Sequence, residues 1–282
     1  MTLLQAAVLG VTQGLSEFAP ISSSGHLILV PWLFGWTDIL RDAESNKTFD
    51  VALHMGTFLG AAFYLRRDLM VLLRAWFASV GARAVRSPEE RLAWFVVLSA
   101  IPGALVGALA EGLINERLGE PWQIALFLAL FGIVLYVVDR RGREVTAYRD
   151  ITARQATAMA VGQALALAPG VSRSGITITA ARAMGVTRDA AGRFSFLMSL
   201  PIVLGAGLYS GLKVLGGDGG GDIGAGPVLV GVVCSAVTGA LAVWGFLAFV
   251  RRHSLGAFTV YRLAVAAIMF TVMATGARGA TV

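Results

Sequence analysis

The sequence is poor in charge and in cysteine. Only 14% of its 282 residues are charged, against about 25% in ordinary soluble domains, and 56% are hydrophobic, so an ordinary soluble domain is excluded. The single cysteine, Cys234, lies inside an apolar run, which excludes a disulfide framework and a cysteine-rich metal site. The chain has no basic leader before its first apolar run, so we expect that run to belong to the folded protein rather than to a signal peptide.

Long apolar runs dominate the sequence. Uncharged runs at 92–110, 121–138, 194–212 and 223–250 are long enough to cross a bilayer, which requires about 20 apolar residues. They predict a polytopic membrane protein. The net charge of +6 comes from arginines between these runs, which in a membrane protein marks cytoplasmic loops rather than nucleic-acid binding.

The two halves of the chain resemble each other in two blocks. QGLSEFAPISSSG (Gln13–Gly25) aligns without gaps to QALALAPGVSRSG (Gln163–Gly175). VVLSAIPGAL (Val96–Leu105) matches VVCSAVTGAL (Val232–Leu241) at seven of ten positions. Two blocks in the same order predict a repeat. We assign repeat one to 1–140 and repeat two to 150–282 of a single membrane domain, 1–282.

Each repeat is predicted to hold one interrupted apolar hairpin followed by three spans. The hairpins, 2–34 and 153–185, have limbs of about ten residues, too short to cross, so we expect them to enter and return on one side. The predicted spans are 49–65, 91–111, 121–138, 193–213, 227–250 and 257–276. Three spans per half invert the second half relative to the first. The predicted fold class is therefore an all-α polytopic membrane protein with two inverted-topology repeats, which places a site where the broken helices meet.

Arginine counts predict the orientation. Arginines cluster in 66–91, 140–149 and 251–252, whereas 112–120 and 214–226 are acidic or neutral. The positive-inside rule places the first set in the cytoplasm and both termini outside. Hairpin one then enters from outside and hairpin two from inside. Their turns, Glu17–His26 (tip one) and Pro169–Thr177 (tip two), are expected to meet within the membrane.

Tip two, PGVSRSGIT, has the features of an anion-binding turn. A glycine-containing turn opens a helix whose free N–H groups would point at a bound anion. Arg173 adds a planar guanidinium suited to phosphate oxygens. Ser172, Ser174 and Thr177 add hydroxyl donors. An ionisable group at membrane depth is costly and is by default a candidate for function.

Tip one, EFAPISSSGH, has the features of reaction chemistry. Ser23 and His26 are three residues apart, close enough for a hydroxyl–imidazole contact in which the histidine acts as general base. Glu17 would orient that histidine and so complete a Glu17–His26–Ser23 relay. For Ser22 and Ser24, a simple helix break with a cap is the competing interpretation.

Other polar residues receive plainer interpretations. Gln13 matches Gln163 across the repeat, so helix packing explains it at least as well as a role in the site. Asp50 and His54, four apart at an external helix end, favour a solvated pair over a functional role. Arg262, near a cytoplasmic span end, is predicted to extend its side chain to the membrane surface.

Both tips resemble motifs of the undecaprenyl pyrophosphate phosphatase family, also called the bacitracin-resistance proteins. The family's (E/Q)xxxE segment and PxSS(S/T)GH read QGLSEFAPISSSGH at Gln13–His26, and its PGxSRSGxT reads PGVSRSGIT at Pro169–Thr177. FDVALHMGT (Phe49–Thr57) and FSFLMSLP (Phe194–Pro201) are also similar to the family, so the resemblance covers nearly the whole chain.

The resemblance implies a membrane phosphatase that hydrolyses undecaprenyl diphosphate to undecaprenyl phosphate and inorganic phosphate. This reaction recycles the lipid carrier of cell-wall precursors and confers bacitracin resistance. The implied location is the bacterial inner membrane, with the site open to the external side. The implied partners are a polyprenyl diphosphate and membrane lipids, without nucleic acid, and a homodimer is left open.

The resemblance also carries site residues over. Glu17, His26 and Arg173 match the family's functional residues, and Ser23 matches its nucleophile. Phosphate contacts fall on Ser172 and Thr177, and we add Ser22 and Ser174 to this phosphate-binding set.

Family activity is associated with Mg²⁺ or Ca²⁺. Gln13 stands where many members have a glutamate. Together with Glu17 it would support the site or a metal. A neutral amide lacks a carboxylate's charge, so a cation that enters with the diphosphate is compatible with this sequence.

The resulting mechanism has Ser23 attack the terminal phosphorus after losing its proton to His26, with Glu17 behind the histidine. Attack by His26 itself or by an activated water is left open. A transporter or flippase of lipid phosphate or another anion would share the inverted repeats and broken helices. Such a carrier would need the anion-binding tip, but it would need neither a nucleophile nor a base.

Overall fold

The computed structural model describes residues 1–36, 43–215 and 223–281. Within these ranges the secondary structure is helical, apart from turns and an isolated β-bridge between Thr146 and Val186. The predicted all-α class is therefore confirmed. The helices are α1 Leu3–Phe18, α2 Ser23–Phe34, α3 Ala43–Tyr64, α4 Arg66–Ala82, α5 Pro88–Leu98, α6 Ala100–Arg117, α7 Pro121–Arg141, the 3₁₀ turn Tyr148–Asp150, α8 Ala153–Leu165, α9 Arg173–Ala183, α10 Arg188–Leu215, α11 Ala225–Val250 and α12 Gly256–Ala274.

Five helical segments in the described ranges are long and apolar enough to cross a membrane. They are Pro88–Ala110, Pro121–Arg141, Arg188–Lys213, Ala225–Val250 and Gly256–Ala274. Only 22–33% of each apolar segment is buried inside the chain, and apolar surface this exposed requires lipid around it. The chain is thus a multi-pass membrane protein. The sixth predicted span, 49–65, lies in α3 except for its last residue, Leu65, but it is not among the five, so its crossing stays a prediction.

The two predicted hairpins are pairs of helices joined by short turns. Their limbs, α1, α2, α8 and α9, contain 16, 12, 13 and 11 residues. The first limb is longer than predicted, because a capping box between Thr2 and Gln5 starts α1 early and the helix continues to Phe18, two residues before Pro20. The inverted relation of the two halves stays a prediction.

The two hairpin turns have the same local backbone. Each ends at a serine that caps the following helix, Ser22 with φ 76° and Ser172 with φ 75°. Non-glycine residues rarely adopt positive φ, and holding one there costs about 1–3 kcal/mol. The same costly conformation at matched positions supports the alignment of the two tips.

Small residues let α11 pack closely along both α1 and α3. A Cβ atom added at Gly14 of α1 would lie 1.9 Å from Thr238 Oγ1, and one at Gly60 of α3 would lie 2.1 Å from the Ala236 carbonyl oxygen. Small residues one helical turn apart, which bring backbones together, are a main source of helix association in lipid. We call this three-helix contact the small-residue seam. It fixes the helices that carry Glu17 and His54.

Ion pairs connect the arginine-rich segments to one another. Arg193–Asp68 (3.2 Å), Arg149–Glu89 (3.4 Å), Arg251–Asp189 (2.8 Å) and Arg188–Glu144 are the pairs concerned. Segments that arginine counting places on one side of the membrane are therefore neighbours. That this side is the cytoplasmic one stays a prediction, and residues 216–222 of the predicted external loop 214–226 lie outside the described ranges.

Candidate active site

Tip one and tip two meet, as predicted. The hydroxyl of Ser22 accepts a hydrogen bond from the Gly170 amide at 3.0 Å. In the opposite direction, the hydroxyl of Ser174 donates to the Ala19 carbonyl oxygen at 3.0 Å. Both serines are buried. The two hairpins, about 150 residues apart in the chain, therefore build one candidate site.

Glu17 is the centre of that site. It is 5% exposed at the end of α1. Its Oε1 accepts from Arg173 Nη2, while Oε2 accepts from Ser23 Oγ at 2.5 Å and from Gln13 Nε2 at 2.9 Å. A carboxylate can remain ionised at this depth only when it is paired and hydrogen-bonded, and these donors supply both. The structure thus brings Glu17, Ser23, Arg173 and Gln13 together.

The predicted relay through His26 is wrong. His26 Nδ1 lies 2.7 Å from the Ser22 carbonyl oxygen, to which it donates, and Nε2 lies 2.8 Å from the Tyr261 hydroxyl, from which it accepts. Both nitrogens of a neutral imidazole thus have partners, and neither partner is Ser23 or Glu17. The reason is local: His26 reaches back to the carbonyl of the cap residue, while Ser23 points toward α1 and donates directly to Glu17.

The four hydroxyls predicted to bind phosphate are used inside the protein. Ser22 and Ser172 cap α2 and α9 by accepting from the amides three residues ahead. Thr177, which is fully buried, donates to the Arg173 carbonyl oxygen at 2.8 Å. Ser174 bonds to tip one, as described above. The interpretation of Ser22 as a cap is confirmed. Phosphate contact by these hydroxyls stays a prediction that would require the bonds to rearrange.

Donors that remain unused point to an anion site. Arg173 Nη1 is buried and has no hydrogen-bond partner among the described residues. The first amides of a helix have no intrahelical partner, which leaves those of Ser23 and Ser24 in α2 and of Arg173 and Ser174 in α9. Two helix N-termini that converge beside a guanidinium favour a phosphate.

Arg262 does not extend to the membrane surface as predicted. Its side chain is fully buried, and its five N–H groups donate to five carbonyl oxygens. These belong to Pro20 of tip one, Gly170 and Val171 of tip two, and Phe127 and Leu128 of α7, at 2.9–3.3 Å. The tips draw Arg262 inward because their irregular backbone leaves carbonyls that lipid cannot satisfy. Arg262 therefore fixes both turns.

His54 also lies in the site, against the prediction of a solvated pair with Asp50. Its Nε2 is 3.4 Å from Glu17 Oε2, and its side chain is 31% exposed. Sequence spacing could not place His54, Tyr261 or Arg262 here, because α3 and α12 reach the tips only through tertiary packing. For Arg262 one signal was available, namely a charge inside an otherwise uncharged apolar segment.

A metal ion held by the protein alone does not fit this site. Within the described residues, no group of three or more His, Cys, Asp or Glu side chains could hold one. The Glu17 oxygens already accept from Arg173, Ser23 and Gln13. Gln13 itself offers only a neutral amide oxygen, which is buried without a partner.

The chain is similar to known proteins over nearly its full length. The sequence profile described as "Bacitracin resistance protein BacA" matches residues 6–268. The protein named undecaprenyl-diphosphatase from Pelobacter propionicus is 47% identical over 281 residues, which cover 99% of this chain and 100% of that relative. Relatives of the same name from Geobacter sulfurreducens (46%, covering 93% of this chain and 95% of the relative) and Rubrobacter xylanophilus (42%, 95% and 97%) agree. The chain belongs to the BacA family of bacitracin resistance proteins.

Proposed function

We propose that this chain hydrolyses undecaprenyl diphosphate to undecaprenyl phosphate and inorganic phosphate. Membership of the BacA family and the name shared by its relatives support this activity. The observation that carries it is the Ser23 hydroxyl, which donates to the buried Glu17 carboxylate beside Arg173. The reaction returns the lipid carrier to cell-wall synthesis. It also removes the diphosphate that bacitracin sequesters, which accounts for resistance.

In the first step Ser23 is the nucleophile and Glu17 the base. The Ser23 proton moves to Glu17 Oε2 along the existing 2.5 Å hydrogen bond. The Oγ–P bond forms on the terminal phosphorus as the bond from that phosphorus to the bridging oxygen breaks. The electron pair of the broken bond stays on the bridging oxygen of the departing undecaprenyl phosphate. His26 braces tip one instead of taking this proton.

Arg173 and the helix amides hold the reacting phosphoryl group. Phosphoryl transfer depends mainly on positioning and on the stabilisation of charge on the phosphoryl oxygens. The free Nη1 of Arg173 and the first amides of α2 and α9 supply fixed donors for those oxygens. These donors need no rearrangement at the moment of reaction, because Arg262 already holds both turns in place.

In the second step water releases the phosphate. A water oxygen bonds to phosphorus as the Oγ–P bond breaks, and Ser23 regains its proton from Glu17. One proton of the water goes to solvent. A Mg²⁺ or Ca²⁺ ion would arrive bound to the diphosphate, because the residues that the structure describes offer it no ligand set of their own. No step above depends on that ion.

The site is proposed to open to the external side of the inner membrane, with both termini on that side. Arginine counting supports this orientation, as do the ion pairs that join the arginine-rich segments to one another. A carrier of lipid phosphate would share the hairpins and the anion site. It would have no use for a serine hydrogen-bonded to a carboxylate, so hydrolysis is favoured over transport.

Phosphate release from a polyprenyl diphosphate by the purified protein tests the proposal. We expect turnover in the presence of Mg²⁺ or Ca²⁺ and a loss of at least about 100-fold in Arg173→Ala, the range seen when one oxyanion donor is removed. If the unmodified protein released no phosphate with either cation, the proposed phosphatase activity would be excluded.

The same assay on Ser23→Ala separates the possible nucleophiles. We expect turnover to fall to background and no phosphoenzyme to form. Near-normal turnover would assign the attack to water or His26 instead.

A further inference from the structure

His54 occupies a position in the site that the mechanism above does not use. It lies on α3, which the small-residue seam holds against α11, and its Nε2 is 3.4 Å from Glu17 Oε2. That oxygen is the one that accepts the Ser23 hydroxyl. The chain has three histidines, and of these only His54 contacts the carboxylate.

The two nitrogens of the His54 imidazole have different partners. His54 Nδ1 lies 2.7 Å from the carbonyl oxygen of Asp50, which can only accept. Nε2 faces the Glu17 carboxylate, which also accepts when ionised. Nε2 therefore lies at ion-pair distance from the oxygen that Ser23 also contacts. His26 differs, because its Nε2 accepts from the Tyr261 hydroxyl and neither of its nitrogens contacts Glu17.

The position of Glu17 makes its alignment depend on the groups around it. As a base it must be ionised before it can accept the Ser23 proton, yet it is 5% exposed and a polyanionic substrate is to bind beside it. Arg173 bonds to Oε1, whereas Oε2 has only Gln13 and Ser23 as neutral donors. His54 Nε2 adds a further contact on this reacting side of the carboxylate.

We propose that His54 is a positioning residue for hydrolysis, whose Nε2 holds Glu17 Oε2 in line with the Ser23 hydroxyl. The inference rests on the proposed function. His54 acts through Glu17 and does not itself bond to phosphorus. The requirement is for an N–H donor at this place, so glutamine can substitute in part and leucine cannot.

Steady-state kinetics of His54→Leu and His54→Gln test the role in turnover. We expect kcat of His54→Leu to fall roughly 10- to 100-fold with KM nearly unchanged, since a misplaced reacting group costs about that much. His54→Gln should recover most of the loss, and His253→Leu, on an exposed turn, should match the unmodified protein. An unchanged kcat in His54→Leu, an equal loss in His54→Gln, or an effect on KM alone would overturn the proposal.

A double-mutant cycle tests the contact without any turnover. Thermal unfolding of His54→Leu, Glu17→Gln and the double variant should be non-additive, so that the second change costs less once the first is made. Additive effects would overturn the contact. Because this measurement needs no substrate, it distinguishes failure of the His54 proposal from failure of the phosphatase proposal.

Discussion

At the scale of single residues, the site is organised by side chains that contact backbone. Arg262 is the strongest case, since one buried guanidinium satisfies carbonyls of tip one, tip two and α7 together. Water cannot replace it inside a membrane, where an unsatisfied backbone group costs several kcal/mol. The shape of the site therefore depends on a residue that is not expected to contact the substrate.

Arg262→Met should destabilise the protein and also reduce turnover. Loss of the donors leaves several buried carbonyls unsatisfied, at about 1–3 kcal/mol each, so we expect the free energy of unfolding to fall by about 3 kcal/mol or more. Thermal unfolding in detergent measures this. Arg252→Met, at an exposed turn, is the matched control and should have little effect. Equal melting temperatures for both variants would contradict the role given to Arg262.

The sequence could identify the site residues that lie inside the two motifs, but not those that reach the site from other helices. Glu17, Ser23 and Arg173 lie inside two motifs whose pairing the repeat predicts, so their meeting could be anticipated. The helical spacing of Ser23 and His26 was misleading, because it gives proximity but not the direction in which a side chain points. His54 and Arg262 reach the site from other helices, through packing that a single sequence does not encode locally.

At the scale of helices, the seam among α1, α3 and α11 decides where the site residues stand. The existence of these helices was predictable from apolar runs, since hydrophobic length is a strong signal in membrane proteins. Their closest contacts were not predicted, because glycines are common in apolar segments and spacing does not say which partner they face. The helices that carry Glu17 and His54 both meet α11 at such glycines.

Gly60→Ala should loosen the seam. The added Cβ would lie 2.1 Å from the Ala236 carbonyl oxygen, so α3 must move away from α11. Overpacking of this kind costs about 1–3 kcal/mol, which we expect as a lower melting temperature. In Gly107→Ala nothing lies within 4 Å of the new atom, and alanine favours helix, so that variant should be neutral or slightly stabilised. Equal destabilisation of both variants would count against close packing at the seam.

At the scale of the whole molecule, two groups of contacts bear on the topology. The C-terminal segment lies near hairpin one, and ion pairs connect the arginine-rich segments. Trp32, in α2, donates to the Gly279 carbonyl oxygen at 3.0 Å. The arginine-rich segments pair among themselves, as Arg251 does with Asp189. Both groupings agree with the predicted alternation of loops across the bilayer.

Thiol labelling of intact cells tests the predicted orientation. In a Cys234→Ala background, Arg117→Cys should react with a membrane-impermeant reagent from outside. Arg252→Cys should react only after the membrane is opened. Both positions are exposed, so access is decided by the membrane rather than by burial. The reverse pattern would place the site opening in the cytoplasm.

The seam also has a consequence for synthesis. Gly10 of α1 packs against the Gly231 backbone, with the added Cβ position only 2.4 Å from the Gly231 carbonyl oxygen. At a translation rate of about 5–20 residues per second, α1 precedes its partner out of the ribosome by roughly 10–40 s. During that interval hairpin one, with its polar tip, has no α11 to cover it. We therefore expect the first hairpin to reach its final packing only after α11 has been made.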